Sequence, residues 1–175
     1  GHILNMVERK IGFREIDLLM NEGAWTEPAI FPKTQGVPPF TLKINVRRIF
    51  AKGSNWIHPE VFYGKLDYQR YLEQLKLARK ANFNILRVWG GGIISKESFF
   101  NTCDSLGILV WQDFPLSCNP YPDDPSYLKI LAQEAISIIN RVKMHPSLAF
   151  WCGGNELFNN WSGMTDQSLP LRLLN

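Results

Sequence analysis

Between residues 50 and 157 the sequence alternates short apolar runs with amphipathic segments of helical period, and this alternation constrains the fold more than any other feature. Four of the apolar runs lack the polar alternation of a half-exposed strand; they are IFAKGSNW, FNILRVW, ILVWQDF and SLAFWCGGNE. Strands that are apolar on both faces and separated by helices are typical of parallel sheets with right-handed crossovers. The pattern therefore predicts an α/β fold.

Three helices are predicted between these strands from their capping residues and periodicity. The predicted N-caps are Asp67, Ser95 and Asp124, while Gly107 and Pro146 are predicted to end the second and third helices. One face of each helix should be buried. These faces hold Tyr68, Leu72, Leu75 and Ala78; Phe99, Cys103 and Leu106; and Leu128, Leu131, Ala135 and Ile138.

The first 50 residues have a different character. VERKIGFREIDLLM and FTLKINVRRIFA contain β-branched and aromatic residues in short extended runs, separated by a stretch rich in glycine and proline. The second run predicts a hairpin that turns near Asn45 and Val46, although valine is unusual in such a turn. This part of the chain is therefore predicted to be β structure.

Two architectures fit the strand and helix pattern: an open doubly wound sheet, or part of a (β/α)8 barrel. No GxGxxG or GxxxxGK[ST] motif follows a strand, which removes the main reason to prefer a nucleotide-binding sheet. A complete barrel has eight strands in about 250 residues, whereas four are predicted here. We therefore expect the first four β/α units of a barrel, preceded by the end of a β domain, as a piece of a longer protein.

Composition excludes several classes of function. The 19 basic and 16 acidic residues are interspersed and give a net charge of +3, which does not indicate a nucleic-acid partner. No apolar run approaches the ~20 residues of a membrane span. The three cysteines and three histidines show no metal-ligand spacing, and neither HExxH nor GxSxG occurs, so no metal or cofactor is expected.

Polar and aromatic residues follow all four predicted strands, in GSNW, RVWGGG, WQDF and GGNE. In a barrel the carboxyl ends of the strands form the active site. Glu156 leaves an apolar strand there, and a partly dry site would favour its protonated form, as a general acid requires. Asn155 can donate to and accept from a sugar hydroxyl. Taken alone, Glu156 would be a solvated loop residue and Asn155 a loop-backbone partner.

Other strand-end residues are candidates for substrate contacts. Arg87 lies within a strand, so it must meet a carboxylate, either as a structural ion pair or in a site. Trp89 precedes three glycines that leave its indole free to stack on a ring. Asp113 could bind a hydroxyl or form an ion pair, and Trp56 and Trp161 could be further ring platforms or packing residues.

Five motifs in this order resemble glycoside hydrolase family 2, and within it the β-mannosidase branch. They are IGFREI, FAKGSNWIHPEVF, NILRVWGGG, FFNTCDSLGILVWQDFP and MHPSLAFWCGGNE, and the similarity runs from about Val7 to Trp161. The resemblance implies an immunoglobulin-like domain ending within residues 1–40 and half of a catalytic (β/α)8 barrel in residues 41–175.

The resemblance also implies a chemistry. It makes Glu156 the general acid/base, gives Asn155 the 2-hydroxyl of the sugar, and places Arg87, Trp89, Asp113 and Trp56 in the pocket of a retaining exo-β-glycosidase. The substrate would be a β-linked oligosaccharide or glycoside with terminal β-D-mannose. Galactosidase-like or glucuronidase-like hydrolysis and a non-catalytic carbohydrate-binding fragment are the alternatives. The family's nucleophile lies on the seventh strand, so we expect these 175 residues alone to be inactive, and the exposed edges of a half barrel to favour self-association.

Overall fold

The computed structural model describes residues 2, 4–8, 10–23 and 40–157. The chain divides into two compact units: Phe13–Lys52, and Gly1–Gly12 together with Gly53–Asn175. The domain boundary predicted between residues 40 and 41 stays a prediction, since compactness alone does not assign a segment to a domain.

The smaller unit is an antiparallel sheet of three strands in the order β1 (Ile16–Met20), β2 (Phe40–Ile44) and β3 (Arg47–Ile49). The predicted hairpin is confirmed, because Asn45 and Val46 both have positive φ, 45° and 65°, as a type I′ turn requires. Glu15 holds the turn in place: its backbone N donates to Asn45 Oδ1 at 2.9 Å, and its carbonyl accepts from the backbone N of Asn45 at 3.0 Å.

The larger unit contains the predicted parallel sheet. Its strands are β4 (Gly53–Trp56), β5 (Ile85–Val88), β6 (Leu109–Asp113) and β7 (Leu148–Cys152), and they lie side by side in chain order. The helices between them are a 3-10 turn (Tyr63–Lys65), α1 (Tyr68–Lys80), α2 (Glu97–Leu106) and α3 (Pro125–Val142). A doubly wound sheet reverses its strand order at a switch point. The unbroken order found here is that of a barrel.

None of the helices in the described ranges combines the length and the apolar character that crossing a membrane demands.

The predicted caps are correct for two of the three helices. Asp67 accepts from the backbone N of Arg70, and Asp124 accepts from those of Ser126 and Tyr127. The prediction of Ser95 as the N-cap of α2 is wrong, because the N-cap is Lys96. Ser95 is completely buried, and its carbonyl accepts from Arg141 Nη2 at 3.2 Å.

The predicted buried face of α1 needs one correction. Tyr68 is 56% exposed, whereas Tyr71 and Leu75 are fully buried. Tyr71 and Leu75 are four residues apart and so share a face. On α3 the buried residues are Ile138 and Val142.

The core lies between the helices and one face of the parallel sheet. The strands contribute Trp56, Leu86, Val88 and Val110, and the helices contribute Tyr71, Leu75, Phe99, Phe100 and Cys103. Side chains alternate along a strand, so the neighbours of these core residues point to the opposite face. In register across that face are Asn55, Arg87, Trp111 and Phe150. This second face carries the candidate site.

Candidate active site

Arg87 and Asp113 form an ion pair across the neighbouring strands β5 and β6. Arg87 Nη2 lies 2.6 Å from Asp113 Oδ2, and Arg87 Nε lies 3.2 Å from Asp113 Oδ1. The Asp113 side chain is completely buried and the Arg87 side chain is 23% exposed. The prediction that Arg87 must meet a carboxylate is therefore confirmed, and its planar group is held by two hydrogen bonds in a fixed orientation.

The Gly90 backbone N–H also binds Asp113, with 3.1 Å between N and Oδ2. A side chain at Gly90 could not be accommodated, since a Cβ there would lie 2.7 Å from the carbonyl oxygens of Phe114 and Leu116. The first glycine after Trp89 thus lets the loop after β5 pass close to the loop after β6.

Asn155 joins the ion pair from the loop after β7. Its Oδ1 accepts from Arg87 Nη2 at 2.9 Å, and its side chain is buried. The Asn155 backbone N donates to Leu116 O at 2.9 Å, and the Cys118 backbone N donates to Asn155 O at 3.0 Å. The carboxyl ends of three strands are therefore joined by hydrogen bonds among Arg87, Asp113 and Asn155.

Glu156 follows directly and differs from its neighbour in exposure. Its side chain is exposed, so the described residues do not provide the partly dry surroundings expected of a general acid. Its backbone has a φ of 50°, in the left-handed region that costs a non-glycine residue about 1–3 kcal/mol. Glu156 Oε2 accepts from Cys118 Sγ at 3.3 Å. The carboxylate is thereby positioned at the carboxyl end of the sheet, beside Asn155.

Trp89 lies half-buried on the loop after β5, and its six-membered ring covers Gly91. A Cβ at Gly91 would fall between 2.0 and 2.4 Å from three atoms of that ring. Beside the indole is an open cleft of about 410 Å³, whose lining includes Trp89, Ser117, Cys118 and Tyr121. An aromatic face next to such a cleft is suited to stacking on a sugar ring.

One predicted site residue, Trp56, is not brought to this place. Trp56 packs in the core, with its ring centroid 5.0 Å from that of Phe99 and 6.4 Å from that of Tyr71. Trp161 lies outside the described residues. Their predicted roles in binding a sugar stay predictions.

The structure adds residues that the sequence reasoning missed. Asn55 Oδ1 lies 3.4 Å from Arg87 Nη1, and the Arg87 guanidinium stacks 5.2 Å from the centroid of the Trp111 ring. Strand alternation requires Asn55 and Trp56 to point to opposite faces, but it does not say which of the two faces Arg87. Cys118 gave no signal, since it lies in a loop between a strand and a helix.

The loop that follows β5 and contains the three glycines is also bound by residues that follow β4. Tyr63 Oη donates to Ile94 O at 2.7 Å, and His58 Nε2 lies 3.2 Å from the backbone N of Ile93. Burial lowers the pKa of His58, which favours its neutral ring. His58 therefore anchors the loop after β5.

Across the described ranges, no three His, Cys, Asp or Glu side chains are grouped as metal ligands would be.

A comparison with protein families gives a match over most of the chain. Residues 39–167 match the model described as "Glycosyl hydrolases family 2, TIM barrel domain". This range includes all four parallel strands and every candidate residue named above.

Curated relatives and solved structures agree with this match. The chain is 39% identical over 156 residues to a β-mannosidase of Mus musculus and 34% identical over 155 residues to β-mannosidase B of Thermothelomyces thermophilus. Each alignment covers 87% of this chain and 17% of the relative, so the chain spans about a sixth of the relatives' length. The crystal structure of a β-D-mannosidase from Dictyoglomus thermophilum superimposes with a TM-score of 0.83 at 33% identity, over 99% of this chain and 20% of the other.

Proposed function

The chain belongs to glycosyl hydrolase family 2, and on this premise we propose that it supplies the general acid/base part of a retaining exo-β-mannosidase. The complete enzyme would hydrolyse terminal, non-reducing β-D-mannose residues of oligosaccharides or glycosides. The observation that carries the proposal is the placement of Glu156. Its carboxylate emerges at the carboxyl end of the parallel sheet, next to the buried Asn155 and the ion pair of Arg87 with Asp113.

In this proposal Glu156 acts twice. It first donates its proton to the glycosidic oxygen as the leaving alcohol departs, while a second carboxylate forms a covalent glycosyl-enzyme intermediate. The Glu156 carboxylate then takes a proton from a water molecule, which attacks the sugar carbon and releases the second carboxylate. The two carboxyl groups of a retaining glycosidase lie about 5 Å apart.

The residues around Glu156 have supporting roles in the proposal. Asn155 is held by Arg87, so its amide has a fixed orientation in which it can bind the 2-hydroxyl of the sugar. The indole of Trp89 offers a face for the sugar ring. The preference for mannose is supported by the relatives, since the curated proteins named above are β-mannosidases.

The substrate is tested by assaying the full-length enzyme with 4-nitrophenyl β-glycosides of mannose, galactose, glucuronic acid and glucosamine. We expect kcat/KM to be highest for the mannoside. A higher kcat/KM for another sugar would reject the mannosidase assignment. If none of the four glycosides is hydrolysed, the proposal that the full-length protein is a glycosidase would be rejected.

The role of Glu156 is tested by Glu156→Gln. Because activated leaving groups depart without protonation, we expect kcat/KM to fall by about 10²- to 10⁴-fold for a poor leaving group and far less for 2,4-dinitrophenol. Glu134→Gln, on the exposed side of α3, is the matched control and should retain full activity. Equal losses on both substrates would contradict an acid/base role.

We also propose that the 175 residues by themselves do not hydrolyse aryl β-mannosides. The Asp113 side chain is completely buried, and both of its carboxylate oxygens accept hydrogen bonds from Arg87 or Gly90, so it is not presented to a substrate as a nucleophile would be. The resemblance to the family places the nucleophile on the seventh strand of the barrel, whereas the described part of this chain contains four parallel strands. Turnover by the pure polypeptide would disprove this proposal.

The edges of the parallel sheet support a further proposal, self-association of the isolated polypeptide. Within the described residues, β4 and β7 each pair with one neighbouring strand only. An unpaired strand edge favours association with another chain. Light scattering after size exclusion should therefore detect oligomers, and a monodisperse monomer would contradict the expectation.

A further inference from the structure

The loops that follow β6 and β7 meet at Cys118, which the proposed mechanism does not use. The Cys118 thiol lies 3.3 Å from Glu156 Oε2, 3.3 Å from Asn155 Nδ2 and 3.2 Å from Ser117 Oγ. It is partly exposed and forms no disulfide. A thiol is a weak donor, and here its acceptor is a carboxylate, which strengthens the hydrogen bond.

The backbone fixes the distance between the thiol and the carboxylate. Ser117 and Asn155 form a parallel bridge, in which the Asn155 N–H donates to Leu116 O and the Cys118 N–H donates to Asn155 O. Cys118 follows one side of the bridge and Glu156 follows the other. The two side chains are therefore brought together by main-chain hydrogen bonds.

Both residues have a backbone conformation that side chains other than glycine rarely adopt. The φ of Cys118 is 54° and that of Glu156 is 50°. Non-glycine residues in the left-handed region persist only where the surrounding structure holds them, and they cluster at functional sites. Paired strained residues on two adjoining loops indicate that the loops are shaped to set the position of these two side chains.

We propose that Cys118 is a positioning residue for the acid/base: its thiol donates to Glu156 Oε2 and holds the carboxyl group toward the glycosidic oxygen. This inference rests on the proposed function. A displacement of about 1 Å in a reacting group can reduce the rate about 100-fold. Such a loss concerns proton transfer, so it should grow as the leaving group becomes more basic.

The test uses the full-length enzyme and the variants Cys118→Ala and Cys118→Ser. We expect Cys118→Ala to lower kcat/KM for methyl β-mannoside by about 10-fold or more, and to change the value for 2,4-dinitrophenyl β-mannoside less than about 3-fold. Serine keeps a hydrogen-bond donor at the γ position of the side chain. Cys118→Ser should therefore recover most of the activity on the methyl glycoside.

Cys152→Ala is the matched control, because Cys152 is also partly buried and its thiol donates to a backbone oxygen, Gly154 O, at 3.3 Å. A purely structural effect of losing a thiol lowers activity on both substrates alike, and this is what we expect of Cys152→Ala. The same pattern in Cys118→Ala, or no loss at all, would overturn the positioning role while the wild-type activity upheld the proposed function. A wild-type enzyme without glycosidase activity would overturn both.

Discussion

Arg87 and Asp113 are held together by two hydrogen bonds, and the carboxylate of the pair is completely buried although the guanidinium reaches solvent. The pair joins β5 to β6, and through Asn155 it also reaches the loop after β7. It therefore links these three elements and orients the residue that precedes Glu156.

Asp113→Asn should strongly destabilise the parallel sheet. The change leaves the Arg87 charge without its partner, and breaking a buried pair typically costs about 3–5 kcal/mol, toward the low end here because Arg87 is partly exposed. The free energy of unfolding is measured with urea.

Arg87→Lys should also destabilise the protein, since an ammonium group cannot replace the bidentate contact of the guanidinium with Asp113.

Asp123→Asn is the control for that prediction. Asp123 is an exposed aspartate of the loop between β6 and α3, so its change should stay within about 0.5 kcal/mol of the wild type. A similar stability for the Asp113 and Asp123 variants would show that the ion pair contributes little.

Gly91→Ala should displace the Trp89 indole without unfolding the protein. The added methyl group would overlap the six-membered ring, which is the free end of the side chain and can swing away. If Trp89 stacks on the sugar, KM of the full-length enzyme for aryl β-mannosides should rise by about 10-fold, the range expected for loss of one ring contact.

Gly92→Ala is matched to this change, because a Cβ at Gly92 meets its nearest neighbours at an ordinary 3.5 to 3.6 Å. We expect its KM to be that of the wild type. An unchanged KM in the Gly91 variant would remove Trp89 from the substrate site.

Trp56→Phe separates packing from binding. Trp56 is in contact with Phe99 and Tyr71 in the core, so the smaller ring should cost about 1–2 kcal/mol of folding free energy. KM for aryl β-mannosides should stay within about 2-fold of the wild-type value, since the indole points away from Arg87. A large rise in KM with normal stability would instead support the predicted role of Trp56 as a ring platform.

His145 is bound by two carboxylates, which the sequence did not indicate. Its Nδ1 lies 2.7 Å from Asp104 Oδ2, and its Nε2 lies 3.3 Å from Glu97 Oε1. Burial disfavours the charged ring, but the hydrogen bond and charge of Asp104, together with Glu97, outweigh burial and raise the pKa of His145.

This arrangement predicts a pH dependence of stability. A pKa that is higher in the folded state adds stability below the unfolded value of about 6.5, and this contribution is lost as the pH rises through the folded value. Burial lowers the pKa of His58, which acts in the opposite direction. The quantity to measure is therefore the difference between wild type and His145→Gln.

We expect that difference in the free energy of unfolding, measured with urea, to be largest near pH 6 and to shrink toward about pH 9. His2→Gln, which changes a histidine at an exposed position, is the control. A constant difference across the range would show that the pKa of His145 is not raised in the folded protein.

Much of the fold could be predicted because it follows from local chemistry. Asp67 and Asp124 cap helices through bonds to backbone groups two or three residues away, and Gly107 ends a helix by adopting a φ of 65°. Ser95 was mispredicted, because in the folded chain it is completely buried and the N-cap of α2 is Lys96.

The sequence by itself determined the parallel order of elements, the hairpin at Asn45 and Val46, and the gathering of Arg87, Asp113 and Asn155 at one end of the sheet. These follow from period, capping and the rule that parallel strands end at one edge. Only the tertiary structure decided that Trp56 faces the helices while Asn55 faces Arg87, and that Cys118 contacts Glu156. The strand register decides which way Asn55 and Trp56 face, and a bridge between two loops brings Cys118 to Glu156. Neither can be predicted from the spacing of residues along the chain.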